Sequence, residues 1–250
     1  MKKKKRKNLL KIVLVIVIVF LLYSFLVEPN MIVLKEINLS PDYSMEIVFF
    51  SDLHMNGYTG FHDRILGKIS SLSPDVILFG GDAVTENTNY EDLERFFTKL
   101  SSIAPVYAVT GNWDYFTQNK IMDIYSRANI SLLNGTDAVV RGEKSYISIA
   151  GMPLNEQYEL LTSHRLILMG HYPHSIRRFD GTKPEIYLCG HTHAGQVYIP
   201  FITKLFYRNE IREIRGFFDY QGTRGFITSG IGSWFHLRFL TFPEIVLITL

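Results

Sequence analysis

The longest apolar stretch of the chain runs over residues 9–27 and is interrupted by Lys11 near its start and by two polar residues near its end. As a helix this stretch would be about 28 Å long, close to the hydrocarbon thickness of a bilayer. Six basic residues at positions 2–7 precede it. The pattern predicts a basic cytoplasmic tail over residues 1–8 and a transmembrane helix over residues 9–27.

The flanks of this helix predict its orientation, because a positively charged flank tends to stay in the cytoplasm. We expect a single-pass protein of the cell membrane whose catalytic domain is extracytoplasmic. A cleaved signal peptide is the alternative. The stretch is long for such a peptide, and residues 23–29 lack a pair of small residues of the A-x-A kind. The pattern therefore favours an uncleaved anchor.

Shorter apolar runs alternate with helical patterns along the rest of the chain. Runs that predict buried strands lie at residues 47–50, 76–79, 106–109 and 186–189. Apolar spacings of three and four positions predict helices over residues 61–72 and 90–101, followed by a third over 115–128. Strands of this length between helices predict an α/β fold with parallel strands.

The region after the anchor predicts a linker and one domain. Residues 28–44 contain Pro29 and Pro41 and are predicted to be a linker, and residues 45–250 the domain. About 205 residues are enough for a full core. Towards the C-terminus the pattern changes to short strands, which end in the apolar segment 244–250.

The net charge changes once the basic tail is set aside. The chain carries 26 basic and 24 acidic residues, a formal charge of +2. Seven basic residues lie within the first eleven positions, which leaves 19 basic against 24 acidic residues, a net charge of −5. A nucleic-acid enzyme is expected to carry a basic face. The count therefore predicts no nucleic-acid partner.

Polar side chains follow the predicted strands where the strands end. The clusters are Asp52-Leu53-His54, Gly80-Gly81-Asp82, Gly111-Asn112 and Gly190-His191-Thr192-His193, with His171 between the last two. Ligand sites of open α/β sheets lie at this edge of the sheet. Carboxylate, amide and imidazole groups suit divalent metals, and the absence of cysteine from the set argues against a thiolate zinc site.

This set of residues predicts a two-metal hydrolase of phosphate esters. Two ions about 3.5–4 Å apart can hold a shared hydroxide, lower its pKa towards neutrality and neutralise the oxygens of an in-line displacement at phosphorus. An aspartate can bridge the ions, and no protein nucleophile is then required. No nucleophile elbow, phosphate-binding loop or dinucleotide fingerprint competes with this interpretation.

At these clusters the chain resembles the calcineurin-like metallophosphoesterase superfamily, whose pattern is D-x-H, G-D, G-N-H-D/E, a lone His and G-H-x-H. The resemblance covers residues 45–250 and implies a four-layer α/β/β/α sandwich. It implies metal ligands at Asp52, His54 and His193 for one ion, at Asn112, His171 and His191 for the other, and at Asp82 for both. It also implies a catalytic set at Asp82, Asn112, Trp113 and His191.

The sequence around the motifs resembles a bacterial branch of small membrane-linked or exported phosphohydrolases. The segments that carry this likeness are 190–196, 229–232 and 243–250. The branch includes enzymes resembling UDP-2,3-diacylglucosamine pyrophosphatases of lipid A biosynthesis. The resemblance implies two divalent ions (Mn, Fe or Zn), the membrane as a partner, and a phosphorylated small-molecule or lipid-linked substrate. One metal site serves many substrates, so the substrate stays open.

The chain departs from the family pattern at Trp113, where the motif has a histidine thought to protonate the leaving group or stabilise the transition state. Indole has no titrating proton near neutral pH, so Trp113 is not a general acid. Either another group, such as His174 or a metal-bound water, supplies the proton, or the leaving group departs without one. A phosphate leaving group meets the second condition, because its second pKa is about 6. Alternatively Trp113 packs beside the site, and Asp114 fixes the loop.

Three residues are candidates for substrate contact. His174 lies close to His171, and Arg208 and Arg212 lie in a basic and aromatic segment after the Gly-His-Thr-His cluster. That segment could bind a diphosphate and an acyl chain or lie against headgroups. The alternative is an amphipathic helix with solvated arginines. Two other functions stay open for the chain, a catalytically silent metal-binding interaction module and a nuclease or phosphodiesterase.

Overall fold

The computed structural model describes residues 2–39, 45–142, 146–203 and 213–250. Helix α1 (Lys2–Leu22) continues into a π-helical turn (Tyr23–Val27) and a 3-10 turn (Glu28–Asn30). The side chains of residues 6–22 are exposed. By length and composition alone, the helical run Arg6–Asn30 is able to cross a membrane. The predicted N-terminal apolar helix is therefore confirmed.

Two large sheets and a small one make up the rest of the fold. The further helices are α2 (Gly60–Ser71), α3 (Tyr90–Ser101), α4 (Asn112–Tyr115) and α5 (Gln118–Arg127). The strands are β1 (Val33–Asn38), β2 (Glu46–Phe50), β3 (Val76–Phe79), β4 (Val106–Ala108), β5 (Ile130–Leu132), β6 (Thr136–Arg141), β7 (Tyr146–Gly151), β8 (Tyr158–Leu160), β9 (Arg165–Met169), β10 (Phe179–Gly181), β11 (Ile186–Cys189), β12 (Gly216–Tyr220), β13 (Thr223–Ile227) and β14 (Glu244–Thr249).

The first sheet has the strand order β1-β14-β2-β3-β4-β5. Strands β2 to β5 run parallel, and β14 is antiparallel to β2. Its central strands are apolar on both faces because both faces are covered. Val48 and Phe50 lie in the cluster that contains the apolar residues of α2, α3 and α5. Ile47 and Phe49 lie in the cluster between the two large sheets.

The second sheet has the order β12-β13-β11-β9-β7-β6, with parallel pairing from β13 to β7. In β11, Ile186 and Leu188 face the first sheet, while Tyr187 and Cys189 lie in an outer cluster. Ile176, from a 3-10 helix over Pro173–Arg178, belongs to this outer cluster. The α/β fold with two packed sheets is confirmed, and Cys189 is a buried core residue.

The structure differs from the pattern-based elements in two places. Within the predicted linker 28–44, Val33–Asn38 forms the edge strand β1, which pairs with β14. The predicted helix 115–128 is divided into α4 and α5, and the backbone N–H of Thr117 donates to the Asp114 carbonyl between them. The first difference depends on a partner strand far along the chain, and the second on a local hydrogen bond.

Candidate metal centre

Every predicted ligand follows the carboxyl end of a strand, on the connecting loop or, for Asn112, at the start of α4. The first sheet contributes four of them after β2, β3 and β4, which are Asp52, His54, Asp82 and Asn112. The second sheet contributes three after β9 and β11, which are His171, His191 and His193. Because the two sheets pack face to face with these ends together, the seven residues meet in one cluster at the shared edge.

Asp52, His54 and His193 form the first group of possible ligands, with one ligand atom from each lying within 4.8 Å of the others. His54 Nε2 lies 3.1 Å from His193 Nε2. His193 Nε2 lies 3.7 Å from Asp52 Oδ1. All three residues are buried. The group offers one carboxylate and two imidazoles to a single point.

Asp82, His171 and His191 form the second group by the same criterion. His171 Nε2 lies 2.9 Å from Asn112 Oδ1 and 3.2 Å from His191 Nδ1. Asp82 Oδ2 lies 3.4 Å from His171 Nε2 and 3.5 Å from His54 Nε2. The Asp82 carboxylate therefore stands between the two groups.

Backbone carbonyls orient two of the imidazoles for metal binding. His54 Nδ1 lies 3.2 Å from the Val84 carbonyl, and His171 Nδ1 lies 3.0 Å from the Gly80 carbonyl. In a neutral imidazole, a hydrogen bond to the carbonyl places the ring proton on Nδ1. The Nε2 lone pair is then free for a cation. His193 Nδ1 is buried without a partner among the described residues. These donors, with oxygen and nitrogen atoms and no thiolate, fit two divalent cations.

The pKa values of the site residues are shifted by burial and by the charges of neighbouring ligands. Burial opposes ionisation of Asp82, yet the charge and hydrogen bond of His171 lower its pKa to about 2. In turn Asp82 outweighs burial and raises the pKa of His171 to about 9. Burial, followed by His171, lowers the pKa of His191 to about 4. Burial raises the pKa of Asp52 to about 7. These buried carboxylates would be stabilised by cations.

Asp114 holds the loops that carry the ligands. Its Oδ2 accepts hydrogen bonds from the backbone N–H groups of Asp82 (2.8 Å) and Gly111 (2.9 Å), and its Oδ1 accepts one from Ala83 (2.8 Å). Burial and the charge of Asp82 raise the pKa of Asp114 to about 7 against these bonds. A Cβ at Gly111 would lie 2.0 Å from Asp82 Oδ1, so that position requires glycine.

The backbone is strained at most of the ligand positions. Five ligand residues have positive φ values, which are Asp52 (59°), His54 (44°), Asp82 (58°), His191 (71°) and His193 (48°). Such conformations are uncommon outside glycine and cost of order 1–3 kcal/mol each. Strain of this kind is maintained where the surrounding structure fixes a functional side chain.

The Trp113 ring packs beside the first group. Its centroid lies 5.8 Å from that of His54 in an edge-on arrangement and 6.2 Å from that of Trp234. Its backbone N–H donates to Asp82 Oδ1 at 2.9 Å. The residue therefore helps to hold Asp82 while its ring covers one side of His54.

Of the three residues predicted to contact substrate, the structure describes His174. His174 stacks on Tyr172 with a centroid distance of 4.9 Å, and the Tyr172 ring lies 4.4 Å from that of His191. His174 thus stands near the second group. Arg208 and Arg212 lie outside the described residues.

Sequence reasoning missed Arg238 and Trp234. Arg238 is buried and donates to the carbonyls of Ser229, Gly230, Gly232 and Thr241. A Cβ at Gly230 would lie 2.9 Å from Asp52 Cβ, so these carbonyls belong to a loop packed on a ligand. A signal for this loop was present in the sequence, because segment 229–232 resembles the bacterial phosphohydrolases. That resemblance does not indicate which residues the segment contacts.

The match of residues 45–195 to the family model of the calcineurin-like phosphoesterases establishes that the chain belongs to that family. Members of this family are metal-dependent phosphoester hydrolases, and the predicted family is confirmed. The family binds two divalent metals, and the two groups described above are the candidate ligands in this chain.

Characterised and uncharacterised bacterial proteins are similar to the chain. An uncharacterised metallophosphoesterase of Campylobacter jejuni is 27% identical over 85% of this chain, which spans only 60% of that relative. The phosphodiesterase YaeI of Escherichia coli is 26% identical, with 82% of each protein covered. UDP-2,3-diacylglucosamine pyrophosphatase LpxG of Chlamydia trachomatis is 24% identical over 88% of this chain and 89% of that protein.

Proposed function

We propose that the chain is a membrane-anchored hydrolase with a two-metal centre, cleaving a diphosphate or an activated phosphoester, and that its substrate is linked to a lipid. The observation that carries the two-metal centre is the position of Asp82 Oδ2, within 3.5 Å of an imidazole Nε2 from each group. Asp52, His54 and His193 would hold one ion. Asn112, His171 and His191 would hold the other, and Asp82 both.

When bound, the ions supply Lewis acidity that activates water and neutralises charge on the phosphate oxygens. The chain's own residues position them. The carbonyls at Val84 and Gly80 keep His54 and His171 in the required tautomer. Asp114 fixes the Asp82 loop through three backbone hydrogen bonds.

The residues beside the candidate metal centre favour a diphosphate substrate over an alkyl ester. Trp113 supplies no proton near neutral pH. Burial, followed by the charges of Arg178 and Arg177, lowers the pKa of His174 and so disfavours its acid form. A leaving group that departs without protonation fits these residues. LpxG, similar over most of this chain, is by its name a pyrophosphatase of a diacylglucosamine nucleotide.

The anchor is supported by the exposed apolar helix, which is long enough to cross a bilayer. The basic residues ahead of it favour a catalytic domain outside the cytoplasm. The net charge of −5 beyond the tail favours a substrate other than nucleic acid.

Asp82→Asn tests the metal centre. Without the carboxylate we expect most bound metal to be lost and hydrolysis of an aryl phosphodiester with added manganese to fall at least about 100-fold. Asp123→Asn, at an exposed position of α5, is the matched control and should retain both. Elemental analysis that finds two ions in an inactive, folded Asp82→Asn variant would contradict the bridging role. Bound metal without turnover in the native chain would instead indicate the silent module.

A further inference from the structure

The end of the apolar helix is fixed against a loop beside the candidate metal centre. The ring of Phe20 lies 4.7 Å from that of Phe239, and the ring of Phe25 lies 5.9 Å from that of Phe235. Between these contacts the backbone N–H of Arg238 donates to the Ser24 carbonyl at 3.0 Å. The helix and the loop over residues 232–241 therefore meet along about one and a half helical turns.

Buried charges make this contact specific. Glu28 follows the apolar helix, is buried, and accepts a hydrogen bond from the backbone N–H of Thr241 at 2.6 Å. Arg238, also buried, holds the carbonyls on either side of the loop. Glu28 Oε1 has the Thr241 N–H as its partner, whereas Glu28 Oε2 is buried without one among the described residues. Displacement of the helix end would leave the Thr241 N–H without its acceptor, which costs free energy for a buried donor. The end of the apolar helix is therefore packed into the domain, and this packing fixes where the helix lies relative to the domain.

The same loop carries large exposed apolar side chains. Trp234, Phe235 and Leu240 are 59%, 51% and 40% exposed, and we call them the loop patch. A cleft of about 400 Å³ begins at the patch, and its walls include Trp234, His54 of the first ligand group and Pro29 from the helix end. The cleft that reaches His54 therefore opens beside the exit of the apolar helix.

Basic side chains also lie near the end of the helical run. Arg64 donates to the Asn30 side chain at 3.0 Å, and Lys68 donates to the Ile32 carbonyl at 3.1 Å. Where a helix leaves a bilayer, aromatic rings lie at the level of the headgroups and basic side chains can meet lipid phosphates. The residues around this exit have the composition of such a boundary.

We propose that the loop patch lies in the headgroup region of the bilayer and opens the cleft of the metal centre at the membrane surface. The occupant is the lipid bilayer, because the patch is continuous with an apolar helix whose own side chains contact the loop through Phe20 and Phe25. The site would then receive a phosphorylated headgroup while the lipid chains stay in the bilayer. This inference rests on the membrane anchor of the proposed function.

Fluorescence of the full chain in vesicles tests the contact, because the chain has two tryptophans. Trp113→Phe leaves Trp234 as the sole indole, and Trp234→Phe is the matched variant that reports Trp113. In phosphatidylcholine vesicles with brominated acyl chains, Trp234 emission should fall at least about two-fold relative to vesicles without bromine. Trp113 emission should fall less than half as much. Adding Phe235→Asp to the chain with Trp234 alone should reduce the quenching.

Flotation of the same vesicles separates failure of the inference from failure of the anchor. Chains that float with the vesicles while Trp234 is quenched no more than Trp113 would overturn the bilayer contact and leave the anchor proposal standing. Chains that do not float would overturn the anchor and the contact together.

Discussion

Position 113 carries an indole where the family pattern has a histidine, and this residue predicts selectivity among leaving groups. An alkoxide leaving group needs a proton that Trp113 does not have, and a general acid contributes roughly 10²–10⁴-fold. We expect the native enzyme to cleave diphosphates and aryl esters well and alkyl phosphodiesters poorly. Trp113→His should raise the alkyl rate at least about ten-fold and change the aryl rate little.

Rates measured against the leaving-group pKa check this expectation. The rate should fall steeply with rising pKa in the native enzyme and less steeply in Trp113→His. Trp113→Phe, which keeps a ring against His54 without an imidazole, should retain the steep dependence. Equal native rates for aryl and alkyl esters, with chemistry rate-limiting, would indicate another acid, such as His174.

Asp114 is a second residue whose role follows from its contacts. An amide at this position can accept through one oxygen alone, so Asp114→Asn places an N–H₂ against at least one backbone N–H donor. Hydrogen bonds to charged groups contribute about 1.5–3 kcal/mol, and an unsatisfied buried donor adds to the loss. We expect about 3 kcal/mol of lost stability, or a fall in Tm of roughly 6–12 °C.

Thermal unfolding of Asp114→Asn and of the exposed control Asp123→Asn measures the effect. The control should unfold within about 2 °C of the native chain. A native Tm in Asp114→Asn would show that the carboxylate does not hold the loops of Asp82 and Gly111.

At the scale of elements, helix α2 is predicted to be sensitive to pH at its first turn. His62 Nδ1 accepts a hydrogen bond from the backbone N–H of Thr59 at 3.0 Å, and burial lowers the pKa of His62. Because the folded pKa is below the unfolded value of about 6.5, the unfolded chain binds the proton more readily. The stability from this group is complete above pH 6.5 and is lost as the pH falls through the folded pKa.

Urea unfolding at pH 7.5 and pH 5 should show this loss in the native chain, and the loss should be smaller in His62→Gln. Thr59→Ala, which removes the side-chain cap at the same turn, should cost about 1 kcal/mol at both pH values. An identical pH dependence in native and His62→Gln chains would exclude His62 as its source.

At the scale of the whole molecule, the proposed membrane anchor predicts on which side of the membrane the candidate site lies. Six basic residues precede the apolar helix, so the catalytic domain should lie outside the cytoplasm. An export-dependent reporter fused after Leu250 should be active and a cytoplasm-only reporter silent. The reverse pattern would place both the candidate site and its substrates in the cytoplasm.

The sequence by itself determined the apolar helix, the central strands and the order of the candidate ligands. Strands β2, β3 and β11 are apolar on both faces, and each ends at a ligand cluster, so local pattern and chemistry indicate the same positions. These features depend on neighbouring residues along the chain, and a sequence pattern records them.

Only the tertiary structure decided how distant segments meet. Strand β1 has Lys35 and Glu36 at its centre, and its sequence predicts a linker. In the structure it pairs with β14 at the other end of the chain. Glu28 binds Thr241, 213 residues away, and so fixes the helix end beside the cleft. Such contacts follow from long-range packing of complementary edges and faces, for which no local period exists, and they determine where the candidate site lies relative to the apolar helix.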